Sequence, residues 1–125
     1  MNISWVNLTL QHQTLREEIN AAIQGVLDQT NFVLGKDVDQ LEEEFAAFCG
    51  TKYAVGVDSG LSALKLSLRA LGIGNGHEVI VPSHTFTATA AAVTFAGATP
   101  VFVDADSETW NIDPEKIEAI GRAHV

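Results

Sequence analysis

Basic side chains are scarce in this sequence. Seven lysines and arginines stand against sixteen aspartates and glutamates in 125 residues, a formal charge of −9. Nucleic-acid binding needs a positive footprint, and this balance argues against it. Attraction to anionic lipid is disfavoured for the same reason. Cysteine is nearly absent. Cys49 alone can neither close an internal disulfide nor furnish a multi-cysteine metal site, and it fits a reducing, cytoplasmic compartment. Long apolar runs are missing too. The nearest approach, Thr85 to Val103, is interrupted by Gly97 and Pro100 and is mostly alanine and threonine, which argues against a membrane span. No basic stretch leads into an apolar core at the start, so no secretory leader is expected. What is there is a globular composition, 46% apolar and 18% charged, of about one domain's length.

Charge is unevenly spread. Residues 1–50 carry a balance of −6, residues 51–100 of +1 and residues 101–125 of −4. Either the centre is a buried core between solvated helices, or it offers an anionic ligand the least repulsive surroundings.

The periodicity alternates. Leu15, Ile19, Ala22, Ile23, Val26 and Leu27 predict a helix from Thr14 to Gln29. A second helix is predicted from an Asp37 cap, with Gln40 three residues on, Val38, Leu41, Phe45 and Phe48 on its apolar face, and Gly50 past its end. Three short apolar runs then read as strands: Tyr53–Val57, Glu78–Val81 and Pro100–Val103. Helices are predicted over Ser59–Leu71, Thr87–Ala96 and, from an Asp113–Pro114 start, through Ile120. Strand and helix in alternation imply crossover connections, hence an α/β fold with a mostly parallel sheet flanked by helices.

Ligands of such sheets sit beyond the carboxyl ends of the strands. Three segments fall there. In Asp58-Ser59-Gly60-Leu61-Ser62 a tight turn opens a helix, whose free N–H groups can hold a phosphate without a charged side chain. Most such turns bind nothing, and neither the Walker nor the dinucleotide glycine fingerprint is present. In Ser83-His84-Thr85-Phe86-Thr87 the phenylalanine either caps the core or offers a flat wall for a stacked aromatic ligand. The two threonines there look like helix caps. Asp104 and Asp106 have no histidine or third carboxylate nearby, so turn and cap roles are expected and no metal site. Lys65 and Arg69, spaced i, i+4 away from the leucines of their helix, are expected to be solvated. No lysine falls at a strand end where burial would lower its pKa, so no catalytic nucleophile is assigned.

At these segments the chain resembles the DegT/DnrJ/StrS family of pyridoxal-phosphate-dependent sugar aminotransferases. Four blocks carry the resemblance in order and spacing: FVLGKDVDQLEEEFAAFCG, YAVGVDSGLSALKLSLRALGIGNGHEVIVP, HTFTATAAAV and GATPVFVDADSETWNID. It implies the large domain of fold-type I transferases and a homodimer with active sites between subunits. It also implies pyridoxal 5'-phosphate as cofactor. The reaction would be amino transfer, typically from glutamate, to a nucleotide-linked keto-sugar destined for surface polysaccharides or other amino-sugar products. In the family's SGT-x-AL turn the amides hold the cofactor phosphate, which here implies Gly60, Leu61 and Ser62, with Leu61 where the family usually has threonine. The family aromatic that stacks on the pyridine ring corresponds to Phe86, and His77 stands where the family usually has aspartate.

On this reading residues 1–50 are an N-terminal helical segment and residues 51–125 an incomplete cofactor-binding α/β domain. The family's aspartate for the pyridine nitrogen and its cofactor-bonding lysine lie downstream of the matched region. The closing GRAHV departs from the family's run toward the next strand, which looks like a truncation or frameshift. Such a chain is expected to be inactive alone and to leave apolar strand edges uncovered. Two alternatives are a non-catalytic remnant acting as an interaction module, and a different nucleotide-using enzyme. The missing glycine fingerprints disfavour the second.

Overall fold

The computed structural model describes residues 5–122 and divides the chain into two compact units between Gly56 and Val57. In the first, helix α1 (Leu8–Gln29) begins six residues before the predicted Thr14, because the Asn7 side chain caps it by accepting from the Leu10 amide at 3.4 Å. Thr30, left-handed at φ 53°, ends it as its N–H donates to the Leu27 carbonyl. None of its residues is buried. Helix α2 (Lys36–Cys49) starts from Gly35 rather than from the expected Asp37 cap. Gly35 has φ 111°, and a Cβ there would strike the Asn31 carboxamide, so the entry turn requires glycine. Asp37 and Asp39 instead lie in the first turn, where carboxylates favour the helix dipole. Gln40 donates to Glu44 at 2.6 Å rather than closing a capping box. Gly50 ends the helix as predicted, in the left-handed region.

The strand predicted over Tyr53–Val57 does not form. Tyr53 and Val55 are exposed, and the Gly56 amide donates to Glu42 Oε1 at 2.6 Å. A strand persists only where its peptide groups find a ladder partner, and among the described residues no strand pairs with this segment. The sheet therefore has two strands, not three.

The second unit holds helix α3 (Gly60–Ala70), strand β1 (Glu78–Pro82), helix α4 (Ala88–Ala96), strand β2 (Thr99–Val103) and helix α5 (Pro114–Arg122). β1 and β2 pair in parallel from Glu78↔Thr99 to Pro82↔Val103, joined by α4 as the crossover. The alanines of α4 let it lie close to both strands and to α3. Ala92 is fully buried, and Val81, Val93 and Ala98 form the core with Leu68, Ile73 and Val79 packed around them. Arg69 is not merely solvated: its Nη2 donates to the Phe95 carbonyl at 3.1 Å and ties α3 to α4. Lys65 is half-buried.

Gly97 ends α4 at φ 95°, and a Cβ on it would sit 3.5 Å from the Asn75 nitrogen. His77 occupies a turn, as expected, with its Nδ1 accepting from the Gly74 amide at 3.3 Å. Beyond β2, Ala105 makes an antiparallel bridge with Ile112. Asp113 then caps α5, its Oδ1 accepting from the Glu115 amide at 3.0 Å. The last three residues of GRAHV lie outside the described residues. No described helix is long and apolar enough to cross a membrane.

Candidate functional site

Ser59 is extended (φ −162°, ψ 161°), and its side chain caps α3. Its Oγ accepts from the Ser62 amide at 3.2 Å and its carbonyl from the Ala63 amide at 2.9 Å. Of the three amides expected to face a phosphate, that of Ser62 is therefore already held by the cap. This is the ordinary reach of an N-cap serine to the third helical residue. The Gly60 and Leu61 amides have no hydrogen-bond partner among the described residues. Nothing lies within 4 Å of a Cβ built on Gly60, so the space beside the first turn of α3 is open.

Phe86 does not cap the core. The residue is 80% exposed. It stands in the loop between β1 and α4, and that loop is tied down around it. The Ser83 amide donates to the Val103 carbonyl at 2.7 Å, extending the ladder past the strand end. The Thr85 and Thr89 hydroxyls share a 2.9 Å hydrogen bond, and the Thr89 amide donates to the Phe86 carbonyl at 2.9 Å. Thr87 takes the N-cap position of α4 without a side-chain hydrogen bond.

The start of α3 and the Phe86 loop meet along one open groove of about 840 Å³, lined by Ser59, Gly60, Leu61, Phe86 and Thr89 among others. Three of the four residues singled out from sequence thus share one cavity. Ser62 does not line it. Ser59 and Thr89 enter it instead. The sequence signal for Ser59 is its hydroxyl in the turn that opens the helix, and for Thr89 its place one helical turn after Phe86. Lys65 and Lys116 of the same unit do not line the groove. An anion there would be met by backbone dipoles, not by a cation.

Of the acidic pair, Asp106 serves the turn, as expected, while the Asp104 carboxylate faces Lys116 of α5 instead. Asp106 Oδ1 accepts from the Thr109 amide at 2.7 Å, the Thr109 hydroxyl at 2.8 Å and the Glu108 amide at 3.1 Å. The Thr109 bonds above all hold its carboxyl below the usual carboxylate range. Asp104 lies 3.6 Å from Lys116 Nζ, which also pairs with Asp113 at 3.7 Å. Trp110, a residue given no role from sequence, packs its ring on His84 with centroids 5.0 Å apart.

A parallel β1–α4–β2 crossover with helices packed on it, an open helix start and an exposed aromatic after β1 defines the class: an α/β fold with a parallel sheet flanked by helices. The chain belongs to the DegT/DnrJ/EryC1/StrS aminotransferase family, whose model matches residues 13–121. The dTDP-3-amino-3,4,6-trideoxy-α-D-glucose transaminase of Streptomyces venezuelae is 47% identical over 116 residues, covering 93% of this chain and 31% of that enzyme. The crystal structure of S. venezuelae DesV in complex with a ketimine intermediate superposes with a TM-score of 0.89 at 47% identity, over 94% of this chain and 32% of that one. The structure of NtdA from Bacillus subtilis with bound cofactor PMP gives a TM-score of 0.83 at 33% identity, over 95% and 28%. The expected fold class, part of the large domain of pyridoxal-phosphate-dependent transferases, is the one these structures share. The chain spans about a third of the length of the curated relatives it matches.

Proposed function

We propose that this chain supplies the cofactor-cradling N-terminal part of a pyridoxal-phosphate-dependent aminotransferase acting on a nucleotide-linked keto-sugar, with glutamate as amino donor. Family membership and the resemblance of these blocks to sugar aminotransferases support that reaction. One observation carries the site: the unpartnered Gly60 and Leu61 amides and the exposed Phe86 ring line the same groove. This combination fits a phosphorylated heterocycle. The amides suit the phosphate and the ring offers a stacking face of about 0.5–1.5 kcal/mol.

When bound, the cofactor supplies the electron sink and the amino-group carrier. This chain's residues bind and orient it. Gly60 and Leu61 hold the phosphate by N–H donation, and the Ser59 hydroxyl stands at the groove's edge. Phe86 fixes the plane of the ring and shields one face from water. Among the described residues no lysine, histidine or carboxylate lines the groove, and on this reading the proton transfers of amino transfer fall to further residues. The active enzyme is a homodimer on this reading.

The test replaces the matching segment of the S. venezuelae transaminase with residues 13–121 and follows amino transfer from glutamate to its dTDP-linked keto-sugar. Activity is expected within about tenfold of the parent, and Phe86→Ala in the graft should lower it by about tenfold or more. Circular dichroism and cofactor absorbance establish that the graft is folded and loaded. A folded, loaded graft with no transfer, or one indifferent to Phe86→Ala, overturns the proposal.

A further inference from the structure

Trp110 is held in a conformation its own backbone does not favour. It lies at φ 59°, in the left-handed region where glycine is at ease and a bulky residue is strained. The turn around it enforces that conformation. Its N–H donates to the Asp106 carbonyl at 2.9 Å, while the Asp106 N–H donates to the Asn111 carbonyl at 2.8 Å. The Asp106 carboxylate gathers the Thr109 amide and hydroxyl and the Glu108 amide. So a position that would accept glycine carries the largest side chain available, on a fixed turn, in a residue that is 61% exposed. Burial in the core does not explain it. What the indole touches does: the His84 ring, at 5.0 Å between centroids and 52° between planes.

His84 lies between two anchored residues. Ser83 before it is bonded to the end of β2, and Thr85 after it to Thr89 of α4. Phe86 follows directly. The His84–Trp110 contact is thus the side-chain link between the loop leaving β1, which presents Phe86, and the turn leaving β2.

We infer that Trp110 is a positioning residue: by bracing His84 from the β2 turn it fixes the Ser83–Thr87 loop and so sets where the Phe86 ring stands in the groove. Its consequence for the ligand rests on the function proposed above. Its consequence for the loop does not. Trp110 does not line the groove, so its effect on a bound ring runs through His84 and Phe86 and spares the phosphate end at Gly60 and Leu61.

The experiment uses the whole chain with Trp110→Gly, which keeps the backbone conformation and removes the ring, Trp110→Phe, which keeps an aromatic, and Phe86→Ala. Hydrogen exchange of the Thr89 amide, which closes on the Phe86 carbonyl, reads the loop. Exchange of the Ala98 amide, which closes on the Val93 carbonyl, reads the core. Trp110→Gly should speed exchange at Thr89 by about threefold to tenfold, the worth of one aromatic pair, and leave Ala98 unchanged. Trp110→Phe should restore most of the protection.

Affinity for pyridoxal phosphate should fall by a similar factor in Trp110→Gly, and the double variant should lose no more than Phe86→Ala alone. Affinity for inorganic phosphate should not move. Unchanged Thr89 exchange, or Thr89 and Ala98 quickening together, overturns the inference, as does a Phe86→Ala loss of affinity that Trp110→Gly does not share. If the loop responds as expected while pyridoxal phosphate binding ignores both residues, the brace stands and the cofactor reading falls.

Discussion

At the scale of single residues, Leu61 offers the sharpest probe of the phosphate end. Its amide is unpartnered and its side chain adds no hydroxyl where the SGT-type turn would supply one. Leu61→Thr should therefore tighten pyridoxal phosphate binding by about threefold, the net worth of one added hydrogen bond, with pyridoxal itself unaffected. Titration of the chain with both compounds checks it. Asp106 carries a second prediction. Its carboxyl is held below the usual range, first by the Thr109 amide and hydroxyl, so the stabilisation is present at neutral pH and is lost as pH falls through the lowered value. The Thr109 amide resonance should accordingly titrate in acid with a midpoint below that of an ordinary aspartate. Asp106→Asn, which keeps the carbonyl acceptor, should abolish that titration. Which residues share the groove was largely legible at this scale, because Gly60 and Leu61 open α3, Phe86 leads from β1 into α4, and the two helices pack together. The fate of the Ser62 amide was not. Turn chemistry and helical spacing mark a helix start, but not whether the capping serine keeps its own bond or yields it.

At the scale of elements, the crossover β1–α4–β2 was readable from EVIV, an alanine-rich helix and PVFV, each bounded by a glycine or proline. α4 in particular had to be made of small side chains, since Ala92, Val93 and Ala96 are buried between strands and α3. The strand over Tyr53–Val57 was misread for a physical reason. Apolarity and β-branching express a preference for a pleated, half-buried surface, but the strand itself is a property of two chains in register. Helix starts slipped similarly: Asn7 and Gly35 capped α1 and α2 ahead of the residues whose spacing suggested a beginning. The junction at Gly97 is the element-scale point most exposed to test. It needs φ 95° and approaches the Asn75 nitrogen to 3.5 Å from a built Cβ. Gly97→Ala should destabilise the second unit by about 1 kcal/mol or more through backbone strain. Denaturant unfolding followed by near-ultraviolet circular dichroism reads the loss as a lower midpoint with an unchanged slope.

Over the whole molecule, burial is distributed very unequally. α4 contributes three buried residues and faces strands and a helix, whereas α1, 22 residues long, contributes none. Leu15, Ile23 and Leu27, the residues whose spacing made α1 predictable, are each more than 40% exposed. An amphipathic stripe records that a helix is made to pack without saying against what, and so α1 could be read from sequence while its burial could not. Helices without tertiary packing are marginal in water even at this length, because propagation barely exceeds the cost of nucleation. Local stability along the chain should follow burial rather than helix length. In native-state hydrogen exchange the amides of α1 should therefore exchange within about tenfold of unstructured peptide rates, while those of Ala92, Val93 and Ala96 should be protected up to the global stability of their unit. Mild denaturant should leave the α1 rates flat and accelerate the α4 rates, since only opening of α4 exposes buried surface. Protection in α1 equal to that in α4 would mean that the stripe is covered in solution, and cross-linking from Leu15→Cys or Ile23→Cys would then identify its cover.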